Sequence, residues 1–193
     1  MKRIIALLIG TFVFGCCLGG CKTEAENNME ILGDGPADGG TVNNTDNDAP
    51  KEIMSEEIVN FACDFFLYGE YGCGTDSAYG ISVQKDEDGR LILSEDRHKI
   101  SCETDEVFLS RVQEIIKQNN LISLNGIDSY TNGLPEEFQP CYFRAEYESG
   151  EKLYFCTDND PQSNWGQEMF ALARDEFDKN GITELDSPDE TEN

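Results

Sequence analysis

The sequence predicts an α+β domain over residues 53–183, in which an antiparallel sheet of about five strands packs against two helices. Two observations predict the sheet: apolar residues alternate with polar ones in several short segments, and Gly-containing turns join these segments as in β-hairpins. A third predicts the helices, because two longer segments repeat apolar residues every three or four positions. The order βββ-α-ββ-α, with hairpins in place of crossovers, favours an antiparallel sheet.

The first element, residues 58–68, fits two patterns. Apolar residues recur at helical spacing from Ile58 to Phe66, and Ser55 with the glutamates after it resembles a helix start. The aromatic content of the segment and the glycines that follow it favour a strand instead. We predict a strand here and keep a helix as the alternative.

The next two strands form a predicted hairpin with the sequence YGISVQ-KDEDG-RLILSED. We expect Ile81 and Val83 to face Leu91 and Leu93 across the Asp/Gly turn. The acidic residues between Gln84 and Glu95 partly match a calcium-binding EF-hand loop. That family requires Asp where Gln84 stands, and helices where this chain has strands. An acidic hairpin turn is therefore the prediction.

Two helices are predicted later in the chain. A further short strand at residues 98–102 precedes the first of them, at residues 105–119, for which Thr104 is the expected N-cap. Acidic residues in its first turn suit the positive end of the helix dipole. The second helix is expected at residues 165–179, with Asn164 in a capping box at its start.

Between the helices lies a second predicted hairpin, residues 141–147 and 152–157. Side chains alternate between the two faces of a strand, so one face of this hairpin is apolar and the other polar. The expected core-facing pairs are Phe143 with Phe155 and Ala145 with Leu153.

The polar face of this hairpin is the candidate ligand surface. It carries Tyr142, Arg144 and Tyr154. Two tyrosine rings flanked by a guanidinium group suit stacking on a sugar ring or on an aromatic residue of a partner protein. The alternative is a solvated sheet face with ordinary cross-strand pairs.

The N-terminus has the three parts of an export signal. Lys2 and Arg3 give a positive start, residues 4–13 are mostly apolar, and small residues follow. A membrane-spanning helix needs about 20 apolar residues, which is longer than this run. A cleaved signal is therefore the prediction for residues 1–20.

The run Leu18-Gly19-Gly20-Cys21 resembles the lipobox of bacterial lipoproteins, in which an aliphatic residue and two small residues precede a cysteine. The resemblance implies cleavage between Gly20 and Cys21 and a diacylglycerol on the Cys21 sulfur. It therefore implies a lipid-anchored protein on the extracytoplasmic side of the cell membrane. Cys16 and Cys17 match the pattern less well, because Phe14 and Cys16 stand where small residues are expected. The alternative is an ordinary secretory signal that is cut elsewhere.

The segments that flank the domain are acidic and poor in large apolar residues. Residues 21–52 are expected to be the lipidated cysteine followed by a flexible linker, because such a chain cannot bury enough surface to offset its ordering entropy. About 30 such residues span roughly 30 Å on average. Residues 184–193 are expected to be a disordered acidic tail.

The charge of the chain excludes several partners. There are 39 Asp and Glu against 14 Lys and Arg, a formal net charge of −25, and removing Lys2 and Arg3 with the signal would give −27. Nucleic acid is excluded, because its affinity depends on Lys and Arg that neutralise phosphates. Anionic lipid would also repel the chain, so lipid on Cys21 must hold it at the membrane.

Five cysteines follow Cys21, and five is an odd number, so at least one is not bridged within the chain. Cys63 with Cys73 is the favoured pair, whereas the hairpin register places Cys141 and Cys156 on opposite faces. The alternative is that several are small core residues. The five are Cys63, Cys73, Cys102, Cys141 and Cys156.

The sequence predicts no metal site, cofactor or catalytic set. The mature chain has no Cys-x-x-Cys motif, and its one histidine, His98, has no recognisable catalytic neighbours. The resulting prediction is a non-enzymatic envelope module that binds a protein or glycan. The alternative is a small envelope hydrolase that uses acidic residues, for example Asp158 and Asp160.

Overall fold

An eight-stranded sheet is the centre of the structure, a computed structural model that describes residues 39–68, 78–183 and 185. Two helices accompany the sheet in these residues: α1, Glu106–Gln118, and α2, Asn164–Lys179. The strands are β1 Thr41–Asn43, β2 Ile58–Phe66, β3 Ala78–Lys85, β4 Leu91–Glu95, β5 Ile100–Thr104, β6 Asp128–Thr131, β7 Pro140–Tyr147 and β8 Lys152–Asp158.

The strand order is β1-β6-β8-β7-β2-β3-β4-β5. Strands β6 and β8 are parallel and the other neighbours are antiparallel. The predicted α+β class with two helices is confirmed, but the prediction of five antiparallel strands is wrong, because the sheet is larger and mixed. The missed strands β1 and β6 are three and four residues long and largely polar, and their partners lie far along the chain.

Strand β1 lies inside the range expected to be a linker. The structure places residues 41–43 in the sheet, and the segment after them, to residue 57, hydrogen-bonds to residues 125–128 and to Glu151. We call residues 39–57 the strap. Gly126, at φ +82°, leaves room for it: a Cβ there would lie 2.3 Å from the Cβ of Ala49 and 2.4 Å from the carbonyl oxygen of Asp46. A side chain at position 126 would therefore push the strap away.

Polar contacts hold the strap at two further points. The buried Asn125 side chain donates from Nδ2 to the carbonyls of Pro50, at 2.8 Å, and of Lys152, at 3.1 Å. The Glu151 carboxylate accepts the backbone N–H groups of Met54, at 2.9 Å, and of Ser55, at 3.0 Å. These bonds lower the pKa of Glu151. Residues 39–52, expected to be part of a linker, are thus bonded to the domain.

Strand β2 occupies the centre of the sheet, between β7 and β3. The preferred prediction of a strand at residues 58–68 is confirmed, over Ile58–Phe66. Phe61, Cys63 and Phe65 face the core, and the register shifts between Ile58 and Asn60 as in a β-bulge. The helical spacing of the apolar residues arises because the core face and part of the opposite face are both buried.

The first hairpin differs from the prediction in its pairs. Val83 lies opposite Leu93 as expected, but Ile81 lies opposite Glu95, and Leu91 lies opposite Lys85. Its turn is an acidic hairpin turn, as predicted: the Asp86 carboxylate accepts N–H groups of residues 88 and 90 and forms an ion pair with the Arg90 guanidinium. These bonds lower the pKa of Asp86.

Both helices begin one residue away from the expected places. Asp105, not Thr104, caps α1, because its side chain accepts the N–H groups of Val107 and Phe108 at 2.9 and 3.1 Å while Thr104 ends β5. The expected cap Asn164 is the first residue of α2, after Ser163. The later hairpin and the strand predicted at residues 98–102 lie within two residues of their predicted bounds.

The core lies between the helices and one face of the sheet. The Trp165 ring of α2 makes edge contacts with Phe65, Phe143 and Phe155 at centroid distances of 5.2, 5.8 and 6.2 Å. From α1, the Gln113 side chain accepts a hydrogen bond from the buried Tyr147 hydroxyl at 3.0 Å. Both helices therefore cover the same face of the sheet.

Candidate binding surface

The face of the sheet opposite the helices is the candidate surface, and we call it the open face. Strand alternation and register assign its residues, and neither helix covers it in the part of the chain that the structure describes. Its residues on the central strands are Asn60, Ala62, Asp64, Gly80, Ser82, Gln84, Ile92, Ser94, Asp128, Tyr130, Tyr142, Arg144, Glu146, Lys152, Tyr154 and Cys156.

The structure brings the three predicted ligand-surface residues together on this face. Arg144 of β7 lies directly opposite Tyr154 of β8, and Tyr142 is two residues before Arg144 on the same face. The predicted core pairs, Phe143 with Phe155 and Ala145 with Leu153, are confirmed. Tyr154 is 41% exposed, Arg144 is exposed and Tyr142 is half-buried. A partner can therefore reach the Tyr154 ring and the Arg144 guanidinium.

Two further residues of the open face were missed from the sequence. Strand β6 runs beside β8 with Asp128 opposite Cys156, which places Asp128 and Tyr130 on the same face as Tyr154. Burial raises the pKa of Tyr154, and the nearby Asp128 and Tyr130 raise it further. The sequence Asp-Ser-Tyr-Thr has no hydrophobic alternation, and it is too short and polar to be recognised as a strand without its partner.

Tyr142 interacts with a carboxylate that the sequence could not place. Asp64 of β2 lies opposite Tyr142. Burial raises the pKa of Asp64, and a side-chain hydrogen bond with Tyr142 opposes that rise. Burial, followed by the charge of Asp64, raises the pKa of Tyr142 to about 12. The phenol is therefore neutral at pH 7, and Asp64 lies directly across from it on the neighbouring strand of the open face.

Small residues lie beside these large side chains. Ala62 lies between Arg144 and Ser82 in the sheet, and Ser82 is followed by Ser94 and Ser101 across β4 and β5. Along this row the face has large side chains at β7 and β8 and small ones from β2 to β5, whereas the next row of β3 to β5 carries Gln84, Ile92 and Glu103. A flat, small-residue region beside aromatic and guanidinium groups allows a partner chain to approach the sheet closely.

The cysteines do not supply a nucleophile among the described residues. Cys63, Cys102, Cys141 and Cys156 are free thiols. Burial raises the pKa of each, to about 11 for Cys102 and Cys156, so the thiol form dominates at neutral pH. The favoured bridge from Cys63 is not formed, and Cys73 lies outside the described residues. Cys141 is buried on the core side and Cys156 lies on the open face, as predicted.

The His98 side chain is part of a hydrogen-bonded turn between β4 and β5. Its Nδ1 lies 2.8 Å from Oε2 of Glu95, a carboxylate that is only 1% exposed. Glu95 also accepts backbone N–H groups from His98, Arg97 and Gly80, at 2.7, 3.2 and 3.3 Å. The carboxylate thus satisfies the donors of the turn between β4 and β5. No sequence pattern identified Glu95, because it occupies an apolar position of its strand.

The acidic residues proposed for the hydrolase are engaged in local contacts. Asp158 accepts the backbone N–H of Thr131 at 2.6 Å and its hydroxyl at 2.9 Å, and Asp160 accepts the N–H of Gln162 at 3.0 Å. The buried Asn159 between them bonds to both backbone groups of Phe66. In the described residues, no group of three or more His, Cys, Asp or Glu side chains is arranged to hold a metal ion.

Comparison of the chain with protein-family models, with curated proteins and with solved structures found no match. Among the described residues, neither helix has the length and apolar character that crossing a membrane requires. Gly20, Cys21 and the rest of the predicted lipobox lie outside the described residues, as does nearly all of the predicted tail.

Proposed function

We propose that this protein is a bacterial lipoprotein, anchored through lipid on Cys21 at the extracytoplasmic side of the cell membrane, whose domain binds a partner on the open face. The observation that carries the binding role is the exposed Tyr154–Arg144 pair, with Tyr142 two residues from Arg144 on the same face, which neither helix covers. Tyrosine and arginine are the residue types that dominate binding energy at protein interfaces, and both also stack on other ring systems.

The geometry favours binding over hydrolysis. The acids near Asp158 and Asp160 hold strand ends and turns together, so they do not form a free pair of carboxylates. The half-exposed thiols of Cys102 and Cys156 are protonated at neutral pH. A binding module requires only the exposed side chains of the open face, and these are present.

The place where the strap joins the sheet also supports a binding role for the open face. The strap enters the sheet at β1, beside β6 and β8, which carry Tyr130 and Tyr154. Gly39, the first described residue, lies 18 positions after Cys21 in the sequence. The chain that leads from Cys21 therefore joins the domain beside the tyrosines of the open face.

Binding through the open face predicts that the double variant Tyr142→Ala/Tyr154→Ala loses its partner. We expect at least tenfold less partner in pull-downs from detergent-solubilised envelopes, because truncating central Tyr anchors typically costs about 2 kcal/mol each. Tyr68→Ala is the matched control, since Tyr68 is 43% exposed but lies beyond the end of β2. Equal recovery by the double variant, the control and the unaltered protein, with unchanged circular dichroism, would contradict this role.

Anchoring through Cys21 predicts that Cys21→Ser removes the lipid. We expect no incorporation of labelled palmitate and accumulation of the longer precursor, because serine lacks the sulfur that carries the diacylglycerol. Cys16→Ser and Cys17→Ser are the controls and should incorporate label at the normal level. Continued labelling of the Cys21→Ser chain would show that the anchor is elsewhere.

A further inference from the structure

The open face carries more negative than positive groups. Its two cations are Arg144 and Lys152, and Lys152 is already paired with Glu146 at 3.1 Å; beside the face, the Arg90 guanidinium lies 4.0 Å from the Glu103 carboxylate. Charged residues on a sheet face favour partners of opposite sign, and the chain as a whole carries a formal charge of −25. The carboxylates on and beside this face are Asp64, Asp96, Glu103, Asp128 and Glu146.

The pKa shifts of groups on the open face also indicate a negative electrostatic potential there. Negative neighbours contribute to the raised pKa of four groups here: Asp64, Tyr142, Tyr154 and Cys156. Burial is the largest cause in each case, and carboxylates add to it. Glu146 differs, because Lys152 lowers its pKa. A positive group placed against this surface would relieve the excess negative charge.

The backbone at Gly80 allows two of these carboxylates to lie close to each other. A Cβ on Gly80 would lie 2.7 Å from Oδ1 of Asp64 and 3.6 Å from Oδ2 of Asp96. Both oxygens therefore lie near a single point above Gly80, one strand away from Asp64 and two strands away from Tyr142. An ammonium or guanidinium group near that point would be within reach of both oxygens.

We propose that the occupant of the open face is a cationic polypeptide segment, an inference that rests on the proposed binding function. Lysine and arginine side chains of the segment pair with Asp64, Asp96 and Asp128, and one of them lies over the exposed Tyr154 ring in a cation–π contact. Arg144 donates to backbone carbonyls of the segment. A neutral saccharide would also stack on tyrosine, but it would gain nothing from the charge of this face.

The test measures binding of a fluorescent decalysine peptide to the full lipidated protein in nonionic detergent, by anisotropy at 50 and 300 mM NaCl. The face variant is Asp64→Asn/Asp96→Asn/Asp128→Asn. The control removes three exposed charges from the helices, Glu114→Gln/Asp175→Asn/Asp178→Asn. We expect binding that weakens severalfold at the higher salt, a loss of about tenfold or more in the face variant and at most about twofold in the control.

Equal losses in the two triple variants would overturn the inference, because binding would then follow total charge and not the open face. A hexamer of N-acetylglucosamine is the second probe. If it binds, if Tyr154→Ala abolishes that binding and if decalysine does not bind, the cationic partner is wrong and the binding role of the open face stands. If Tyr154→Ala and Tyr68→Ala behave alike with both probes, and the envelope pull-down is also unchanged, the proposed function fails as well.

Discussion

Replacing Glu95 with alanine is expected to lower the free energy of unfolding by about 3–5 kcal/mol. The Glu95 carboxylate is 1% exposed and accepts four hydrogen bonds, three from backbone N–H groups and one from Nδ1 of His98. Alanine would leave these donors without an acceptor in a buried site, and an unsatisfied buried donor is costly. Urea unfolding followed by tryptophan fluorescence would measure the change, since Trp165 is the only tryptophan and lies in the core.

Two variants separate this explanation from a general effect of losing a carboxylate. Glu103→Ala removes an exposed carboxylate from the neighbouring strand and should change stability by less than about 0.5 kcal/mol. His98→Ala removes one of the four donors and leaves the acceptor satisfied by the others, so we expect about 1 kcal/mol. If Glu95→Ala is no more destabilising than His98→Ala, the backbone contacts of this carboxylate do not stabilise the turn.

Local patterns predicted the elements whose partners are close in the chain. The two long hairpins and both helices follow from alternation and helical spacing, and the register of β7 with β8 placed Tyr142, Arg144 and Tyr154 on one face. Strands β1 and β6 could not be predicted in this way. Each pairs with residues distant in sequence, and neither has a hydrophobic pattern of its own.

The same limit applies to the candidate site. Asp64 and Gly80 come beside Tyr142 only through the register of β7, β2 and β3, which joins residues far apart in sequence. The placement of Asp128 and Tyr130 on this face depends on the parallel pairing of β6 with β8, which no hairpin turn in the sequence indicates. The part of the site within one hairpin was therefore predictable, whereas the carboxylates that set its charge required the complete sheet.

The strap connects the proposed anchor to the proposed binding surface. Lys51 donates through its ammonium group to the carbonyl of Asn125, and Gly126 donates to the carbonyl of Tyr154 at 2.8 Å. The backbone of Tyr154 is thus bonded to the segment that receives the strap. Contacts between the strap and residues 125–126 therefore help to position Tyr154, an exposed residue of the open face.

Replacing Asn125 with alanine is expected to lower the free energy of unfolding by about 2–4 kcal/mol and to loosen the strap. Asn125 is 4% exposed, and its side chain makes three hydrogen bonds to backbone groups. Nδ2 donates to Pro50 and Lys152, and Oδ1 accepts the N–H of Tyr154 at 2.8 Å. Alanine would remove the tie between the strap and β8 and leave buried backbone groups unpaired.

Urea unfolding measures the stability, and limited proteolysis of the folded protein measures the strap, whose cleavage between residues 44 and 57 should become faster. Asn43→Ala is the matched control in the strap itself: its side chain accepts one exposed hydrogen bond, from Thr45, and its loss should change stability by less than about 0.5 kcal/mol. Asn125→Asp keeps the acceptor for Tyr154 but removes both donations, so faster strap cleavage in this variant as well would assign the effect to those donations. If Asn125→Ala matches Asn43→Ala in both measurements, the strap is held by Gly126 and Glu151 without Asn125.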